Sequence, residues 1–321
     1  MVMKHSLMDI IEDNLEIYFP DKKFSIKIMK RIKTKIGSQV LNFKLISTDK
    51  EEKEIYVKKI DPLFNENVLE LLKLKKYWEY LLIPRMIDFL ENENSIVYEG
   101  VKGSTLSSNI IYHLLKPNKF LSEKRLLTCA SKIGNAIGHL QKLTKKGESN
   151  IGDLNIFLIN QFESNEYVNN LVEYKYRNKI QCLIENLKNL KVSVAQFHGD
   201  PTPHNILMHK DEVYLLDFSF QDSVVLLDPL LFSVSLDLMR NRMPYLLNST
   251  FKNMKKNFFK AYEKVTYEHW EKPVWDLLKL LTYFHILIKY KKRKKNLKNY
   301  FVTLLDRRYL LKEIRNFEFL K

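Results

Sequence analysis

Two short apolar segments with polar side chains at their ends constrain this chain more than any other feature. The first is "QFHGDPTPHNIL", residues 196–207, and the second is "VYLLDF", residues 213–218. A short turn joins them, so the pattern predicts a β-hairpin. Such a hairpin brings Asp200 and Asn205 close to Asp217. Folding alone gives no reason for these three polar side chains, so we interpret them as one chemical site.

The three side chains have the chemistry that phosphoryl transfer requires. Oxygen atoms of Asn205 and Asp217 suit a hard cation such as Mg²⁺, which also binds phosphate oxygens and water. Asp200 is not needed as a ligand, so it can accept the proton of an attacking hydroxyl. His198 is interpreted as a hydrogen-bonding residue that shapes the loop, because no Ser or Cys nucleophile is paired with it. The role of His204 stays open.

The composition is that of a globular protein. A chain of 321 residues with 45% hydrophobic residues can bury a large core and form two lobes. Cys129 and Cys182 give neither a disulfide framework nor zinc-ligand spacing, which suits a reducing cytoplasm. The apolar stretch 274–288 is interrupted by Asp276 and Lys279 and predicts a buried helix. No signal peptide pattern is present, so we expect a soluble, cytoplasmic protein.

The net charge of +15 leaves several partners open. The densest basic run is residues 289–298, and it would suit an anionic membrane surface, a phosphorylated ligand or simply solvent at a helix end. It has no glycine and a single arginine, and no recognition motif accompanies it, so no nucleic-acid partner is expected. Peripheral contact with an anionic membrane surface remains a candidate.

The chain divides into a strand-rich and a helix-rich part. A helix is predicted from Asp61, as N-cap, and Pro62, at the first position, to about Tyr80. The predicted strands before and after it are residues 24–32, 39–47, 53–60, 84–92 and 95–101. After the glycine- and serine-rich segment 99–108 the pattern is mostly helical.

These patterns predict an α+β fold with two lobes. Residues 1–99 form a small antiparallel β lobe with one helix, and residues 100–321 form a larger α-rich lobe, with a hinge at about 99–105. The first is the expected nucleotide-binding lobe and the second the expected catalytic and acceptor-binding lobe.

The hairpin motifs resemble those of a known family. "HGDPTPHN" resembles the His-Gly-Asp-x-x-x-x-Asn catalytic loop of the aminoglycoside phosphotransferase and choline kinase group, relatives of the protein kinases. "LLDFS" resembles their metal-binding Asp motif, with Ser219 where protein kinases carry Gly. The resemblance covers about residues 24–240. It implies a bilobal protein-kinase-like fold, ATP and Mg²⁺ as cofactors, Asp200 as catalytic base, and Asn205 and Asp217 as metal ligands.

The resemblance also suggests which residues bind the nucleotide. Lys58 in "IYVKKI" resembles the strand lysine that holds the α- and β-phosphates, and Lys59 points to the opposite face. Tyr56 shares the face of Lys58, so its ring can stack on adenine. Glu66 and Glu70 lie one helical turn apart, and the spacing after Glu70 resembles the family more closely, so Glu70 is preferred as the partner of Lys58.

Two further nucleotide contacts are expected. The turn before the second strand has only Gly37 where protein kinases have three glycines, and Ser38 is the residue that would contact a phosphate. Backbone groups near Glu99 and Val101 would meet the adenine edge at the hinge. ATP and GTP both remain candidates as donor.

The spacing after Asp217 points to a small acceptor. Asp228 follows Asp217 at a distance of only 11 positions, and no Ala-Pro-Glu-like anchor for a peptide follows. Asp228 is interpreted as the cap of the next helix. The basic C-terminal third disfavours a cationic aminoglycoside, so a sugar, a glycan or a related metabolite is the expected hydroxyl acceptor. The alternative is a catalytically inactive, kinase-like scaffold that binds nucleotide.

Overall fold

The structure is a computed structural model that describes residues 7–32, 40–115, 119–152, 174–243, 248–267, 270–291 and 297–317. By its internal contacts the chain divides into two compact units, Met1–Gly103 and Ser104–Lys321. Among the helices in these ranges, none combines the length and the apolar character that crossing a membrane requires.

The first unit is built on a five-stranded antiparallel sheet. Its elements are α1 (Leu7–Tyr18), β1 (Phe24–Ile32), β2 (Val40–Ser47), β3 (Glu52–Lys59), α2 (Asn65–Lys73), α3 (Trp78–Leu81), β4 (Met86–Leu90) and β5 (Ser95–Glu99). The strand order is β1-β2-β3-β5-β4. On β3, Ile55 and Val57 are buried while Tyr56 and Lys58 are half-buried, because successive side chains point to opposite faces.

Helix α1 covers one face of this sheet and was not part of the prediction. Its residues Ile11, Leu15 and Tyr18 are buried in one cluster with Phe43 and Ile55. Each such apolar side chain contributes about 1.5–3 kcal/mol when it is fully buried. The α1 helix therefore completes the core of the first unit.

The predicted helix that starts at Asp61 is divided into shorter pieces. The Asp61 side chain accepts a hydrogen bond from the Leu63 amide over 3.1 Å, and it caps a 3₁₀ turn, Pro62–Phe64, that leads into α2. Between α2 and α3 the Trp78 indole donates to the Leu71 carbonyl over 3.1 Å. The same carbonyl accepts from the Leu74 amide over 3.1 Å, and a 3₁₀ turn, Lys75–Tyr77, joins α2 to α3.

The second unit is mainly helical. Its elements are β6 (Ser104–Thr105), α4 (Leu106–Leu115), α5 (Lys119–Leu143), β7 (Gly147–Asn150), α6 (Tyr174–Leu187), β8 (Lys191–Phe197), β9 (Ile206–His209), β10 (Glu212–Leu215), β11 (Gln221–Val224), α7 (Leu227–Asn241), α8 (Asn248–Thr266), α9 (Lys272–Lys291) and α10 (Leu297–Arg315). Two three-stranded sheets have the orders β10-β9-β6 and β11-β8-β7.

The core of the second unit lies among α6, α7, α9 and α10. The predicted buried helix at 274–288 is part of α9, where Leu277, Leu281 and Phe284 are 0–1% exposed. Of the basic run, residues 292–296 lie outside the described residues. The predicted α+β class, with an antiparallel sheet first and a larger helical part after it, is confirmed.

Helices α5 and α8 approach each other closely because α5 carries glycines at the contact. A Cβ atom on Gly134 would lie 2.3 Å from the carbonyl oxygen of Phe258. A Cβ atom on Gly138 would lie 3.0 Å from the Cβ of Val265. Both contacts involve side chains or backbone of α8, so the glycines set the distance between the two helices.

We expect Gly134→Ala to destabilise the protein although alanine favours helix formation. The added methyl group meets a backbone carbonyl that can move only with α8, so we expect a loss of about 1–3 kcal/mol. Urea unfolding measures it. The matched control is Asn135→Ala on the exposed side of the same helix, which should be neutral or slightly stabilising. Equal stability of the two variants would contradict the close helix contact.

Candidate functional site

The hairpin of β9 and β10 holds the ends of the two motifs together. Ile206 pairs with Leu215 in the antiparallel register, and the Leu216 amide donates to the Asn205 carbonyl over 2.8 Å. Asn205 therefore stands at the open end of the hairpin, opposite the residue that precedes Asp217. The two predicted metal ligands are neighbours in the fold because the backbone pairing places them there.

A second set of hydrogen bonds joins Asp200 to Asn205. The Asn205 amide nitrogen donates to the Asp200 carboxylate over 3.0 Å and to the Asp200 carbonyl over 2.9 Å. Since Nδ2 makes both contacts, the amide oxygen Oδ1 is the atom that would bind a cation. The geometry fixes the orientation of the predicted base and of one predicted ligand at the same time.

Asp217 and Gly199 have backbone conformations that constrain both loops. Asp217 is in the left-handed region at φ 64°, which costs a non-glycine residue about 1 kcal/mol or more. Gly199 has φ 87°, and a Cβ there would lie 2.5 Å from the Ser219 hydroxyl. The Ser219 amide donates to the His198 carbonyl over 2.9 Å. Ser219 stands where protein kinases carry glycine, and its side chain packs against Gly199. Because of this contact, position 199 has no room for a side chain.

The two histidines of the loop have structural contacts. His198 is 0% exposed and its ring lies 4.3 Å from that of Phe218, between centroids. Its Nδ1 accepts from the Asp200 amide over 3.3 Å, as expected of a residue that shapes the loop. The Nδ1 atom of His204 is hydrogen-bonded to the Ser107 hydroxyl over 2.9 Å, which ties the loop to α4. Sequence reasoning had no signal for Ser107.

The interpretation of Asp228 as a helix cap is wrong. The N-cap of α7 is Leu226, without a side-chain cap bond, and Asp228 lies in the first turn. Its carboxylate accepts from the His198 amide over 2.7 Å and from the Gly199 amide over 2.9 Å. The Asp-Pro pattern is typical of a helix start, but the carboxylate binds the backbone of the loop that carries Asp200, 30 residues earlier in the chain.

Burial dominates the electrostatics of Asp228. Desolvation raises the pKa of its carboxyl from 3.8 to about 6, while the hydrogen bonds from Gly199, His198 and Gln141 lower it and the charge of Asp200 raises it. A carboxyl whose folded-state pKa is raised contributes most to stability below pH 3.8 and loses that contribution as pH rises through 6. At pH 7 the Asp228 carboxyl is therefore mostly ionised, and the hydrogen bonds that it accepts stabilise the charge.

The residues at the hairpin suit a divalent cation. Among the described residues, no group of three or more His, Cys, Asp or Glu side chains could hold a metal by itself. Asn205 and Asp217 supply oxygen atoms from one end of a hairpin, and Mg²⁺ usually takes only one or two protein ligands plus phosphate and water. The donor set therefore fits Mg²⁺ and gives no basis for zinc.

In the first unit, Tyr56 and Lys58 share a face of β3. The Tyr56 hydroxyl donates to the Glu54 carboxylate over 2.8 Å, and burial together with this contact raises its pKa to about 12. Asn42, on the neighbouring strand, donates to the same carboxylate over 3.1 Å. Lys59 is exposed on the opposite face. The predicted alternation along the strand is confirmed, while the nucleotide contacts of Lys58 and Tyr56 stay predictions.

The structure describes some of the other residues that are predicted to bind the nucleotide. Glu70 is half-buried on α2 while Glu66 is exposed, and which of them pairs with Lys58 stays a prediction. Glu99 and Val101 line one cavity of 430 Å³. Ser38 and Gly37 lie outside the described residues.

Comparison with known proteins gives structural similarity alone. No protein-family model and no curated protein matches the chain. A glucosamine kinase solved with glucosamine, ADP and inorganic phosphate has 10% identity and a TM-score of 0.59, over 97% of this chain and 100% of that one. An amicoumacin kinase solved with AMP-PNP, Ca²⁺ and Ami has 12% identity and a TM-score of 0.56, over 93% of this chain and 92% of that one. The chain has the fold of these kinases. The predicted protein-kinase-like fold is confirmed.

We expect Asp228→Asn to destabilise the protein and its catalytic loop. An asparagine presents one oxygen and one NH₂ group to two backbone donors, so one amide loses its partner in a buried place, at about 1–3 kcal/mol. Hydrogen exchange of the His198 and Gly199 amides and urea unfolding measure the change. The control is Asp222→Asn, which breaks a partly exposed pair with Lys146 and should cost under about 1 kcal/mol.

The same variant has a pH signature. Because the folded-state carboxyl binds its proton more tightly than the unfolded one, the wild type gains stability relative to Asp228→Asn as pH falls. Between pH 8 and pH 5 we expect this gain to be about 1 kcal/mol. If the difference in unfolding free energy between wild type and Asp228→Asn does not change with pH, the pKa of Asp228 is not raised by burial and this prediction is wrong.

Proposed function

We propose that the protein is an ATP-dependent phosphotransferase of the aminoglycoside phosphotransferase and choline kinase type that acts on a hydroxyl group of a small molecule. The observation that carries the proposal is the hydrogen-bonded pair of Asp200 and Asn205 at the open end of the hairpin that leads to Asp217. The kinase fold of the structural neighbours supports it. The site supplies orientation and charge, which is what phosphoryl transfer needs from a protein.

Each residue of the hairpin has a distinct task in this reaction. Asp200 orients the acceptor hydroxyl and accepts its proton as the oxygen attacks the γ-phosphorus. Asn205 holds the Asp200 carboxylate in place through Nδ2. Asn205 Oδ1 and Asp217 would hold Mg²⁺, whose charge neutralises the phosphate oxygens. The hydroxyl oxygen forms the new P–O bond, ADP leaves with the electrons of the broken one, and the proton stays at Asp200.

The first unit is proposed as the nucleotide-binding part and the second as the catalytic part. Lys58 binds the α- and β-phosphates, with Glu70 as its acidic partner, and Tyr56 contacts the adenine. Glu99 and Val101 offer backbone groups to the adenine edge, and Ser38 contributes to phosphate binding. ATP is the preferred donor, because the structural neighbours were solved with ADP and AMP-PNP.

The acceptor is proposed to be a sugar, a glycan or a related metabolite. Two neighbours are a glucosamine kinase, solved with glucosamine, and an amicoumacin kinase, solved with the ligand Ami. A cytoplasmic location follows from the need for ATP. The two free cysteines agree with a reducing compartment: Cys129 is buried with its pKa raised to about 12, and Cys182 is exposed. Contact with an anionic membrane surface is the means by which a lipid-linked acceptor would be reached.

We expect Asp200→Asn to reduce phosphate transfer by about 10²–10⁴-fold because it removes the proton acceptor. In Asp200→Asn, nucleotide binding should stay nearly unchanged. In Asp217→Asn, by contrast, the metal-dependent part of nucleotide binding should be weaker. The measurement is mass spectrometry of a metabolite and lipid extract incubated with Mg-ATP and either wild type or variant. Asp211→Asn, at the exposed tip of the same hairpin, is the control and should transfer as wild type does.

A species heavier by one phosphate that forms with wild type and Asp211→Asn but not with Asp200→Asn identifies the acceptor. Near wild-type transfer by Asp200→Asn would show that the base is assigned wrongly. Nucleotide binding without any new phosphorylated species would favour a nucleotide-binding scaffold without turnover.

Lys58 and Lys59 allow a paired test of the nucleotide site. We expect Lys58→Met to weaken ATP binding about tenfold or more, because a charge-assisted contact to phosphate is lost. Lys59→Met removes the same charge from the opposite face of the same strand, where the Lys59 side chain is exposed, and should change binding less than twofold. Calorimetric titration with Mg-ATP measures both. If the two substitutions weaken ATP binding equally, Lys58 is not the phosphate-binding lysine.

A further inference from the structure

A chain of buried polar contacts leads from α8 through α5 to the loop that carries Asp200. The Tyr262 hydroxyl on α8 donates to Gln141 Oε1 on α5 over 2.6 Å. The Gln141 amide nitrogen faces the Asp228 carboxylate at 3.5 Å. Asp228 in turn accepts from the His198 and Gly199 amides. Four elements that are distant in sequence are therefore connected by polar contacts.

The burial of these groups makes their orientation matter. Tyr262 and Asp228 are 0% exposed and Gln141 is 2% exposed. At 3.5 Å the contact between Gln141 and Asp228 is long for a hydrogen bond, so the amide acts on the carboxylate mainly through its dipole. In a buried place of low dielectric constant such a dipole has a large effect.

The orientation of the Gln141 amide is fixed from both ends. The ionised carboxylate of Asp228 favours the amide nitrogen on its side, and the Tyr262 hydroxyl donates to the amide oxygen on the other. The hydroxyl has a second, longer contact with the Val225 carbonyl at 3.4 Å. If the phenol is removed, the amide can rotate and turn its oxygen toward the carboxylate, which is repulsive.

The packing of α5 against α8 sets this geometry. Gly138 lies three residues before Gln141, and a Cβ there would be 3.3 Å from the Tyr262 carbonyl. Thr144, three residues after Gln141, accepts from the Gln196 amide on β8 over 3.1 Å and donates to the Leu140 carbonyl over 2.8 Å. The last turn of α5 therefore supports both the strand that enters the loop and the carboxylate that holds it.

We propose that Gln141 and Tyr262 are positioning residues that hold the Asp228 carboxylate, and through it the backbone of His198 and Gly199, in the arrangement that aims Asp200. They do not contact the reacting atoms. The kinetic part of this proposal rests on the proposed function, while the structural part does not. The substitution of either residue changes the loop through the proton affinity of Asp228.

The charges around Asp228 give the direction of the effect. Burial is the main cause that raises the pKa of Asp228; the two backbone amides and the Gln141 amide on α5 lower it, and the Asp200 carboxylate raises it. If the amide contribution is lost, the pKa rises further above about 6. A larger share of molecules then carries a proton on Asp228 near neutral pH, and its hydrogen bonds from the loop weaken.

The experiment is a pH titration of the His198 and Gly199 amide resonances by NMR. For wild type we expect a midpoint near pH 6. For Tyr262→Phe and Gln141→Met, which preserve side-chain volume, we expect the midpoint to rise by about 0.5 to 1 pH unit. Both variants are nearly isosteric, so each can serve if the other does not fold.

Tyr283→Phe is the matched control. Tyr283 on α9 is also 0% exposed, but its hydroxyl has no hydrogen-bond partner among the described residues. The same chemical change should leave the midpoint at the wild-type value. If Tyr283→Phe shifts the midpoint as much as Tyr262→Phe, the effect is a general loosening of the unit and the proposal is wrong.

Kinetics add a second readout. With the acceptor in hand, kcat of Tyr262→Phe at pH 6 should fall about two- to fivefold and recover near pH 8.5, with KM for ATP unchanged. Folded variants whose midpoint and pH profile equal those of wild type would overturn the proposal. If wild type transfers no phosphate, the proposed function fails and the NMR titration still decides the positioning role.

Discussion

The conformation of the loop that carries Asp200 depends on the hydrogen bonds that the buried Asp228 carboxylate accepts. Where β8 ends, the amides of His198 and Gly199 leave the strand ladder and need another acceptor, because an unpaired buried amide costs about 1–3 kcal/mol. Asp228 accepts both over 2.7 and 2.9 Å. The loop that follows carries Asp200, so the position of the proposed base is set by a carboxylate that takes no part in the chemistry.

An ionised group at 0% exposure is expensive, and the structure shows what offsets its cost. Two backbone amides and the Gln141 amide are directed at it, and Tyr262 keeps Gln141 in that orientation. An asparagine would avoid the desolvation but has a single acceptor oxygen, whereas the two amides donate to the separate oxygens Oδ1 and Oδ2 of Asp228. The close contact of α5 and α8 at Gly134 and Gly138 is thus part of the electrostatics of the loop as well as of the core.

The hairpin and its polar residues could be predicted because the residues that form it are close to one another in the sequence. Alternation along β9 and β10 predicts the register, and the register brings Asn205 to the residue before Asp217. The partner of Asp228 was not predictable, since an Asp-Pro pair at a helix start favours a cap and the acceptor geometry depends on tertiary packing. Helix α1 was missed for a related reason: its apolar residues have meaning only against the sheet core that they cover.

The contrast has a physical origin. Asn205 and Asp217 flank one hairpin, so strand pairing brings these two proposed metal ligands together, and the Asn205 amide holds the proposed base Asp200 next to them. The residues that hold the loop in place are much farther away in sequence. Asp228 lies 30 residues after His198, Gln141 lies 87 residues before Asp228, and Tyr262 lies 121 residues after Gln141. Such supports exist only after the helices have packed. Because Gln141 and Tyr262 reach Asp228 only through this packing, substitutions between α5 and α8 would act on the proposed base while every group proposed to touch the substrate is unchanged. The position of the proposed base therefore depends partly on helix contacts that no short motif describes.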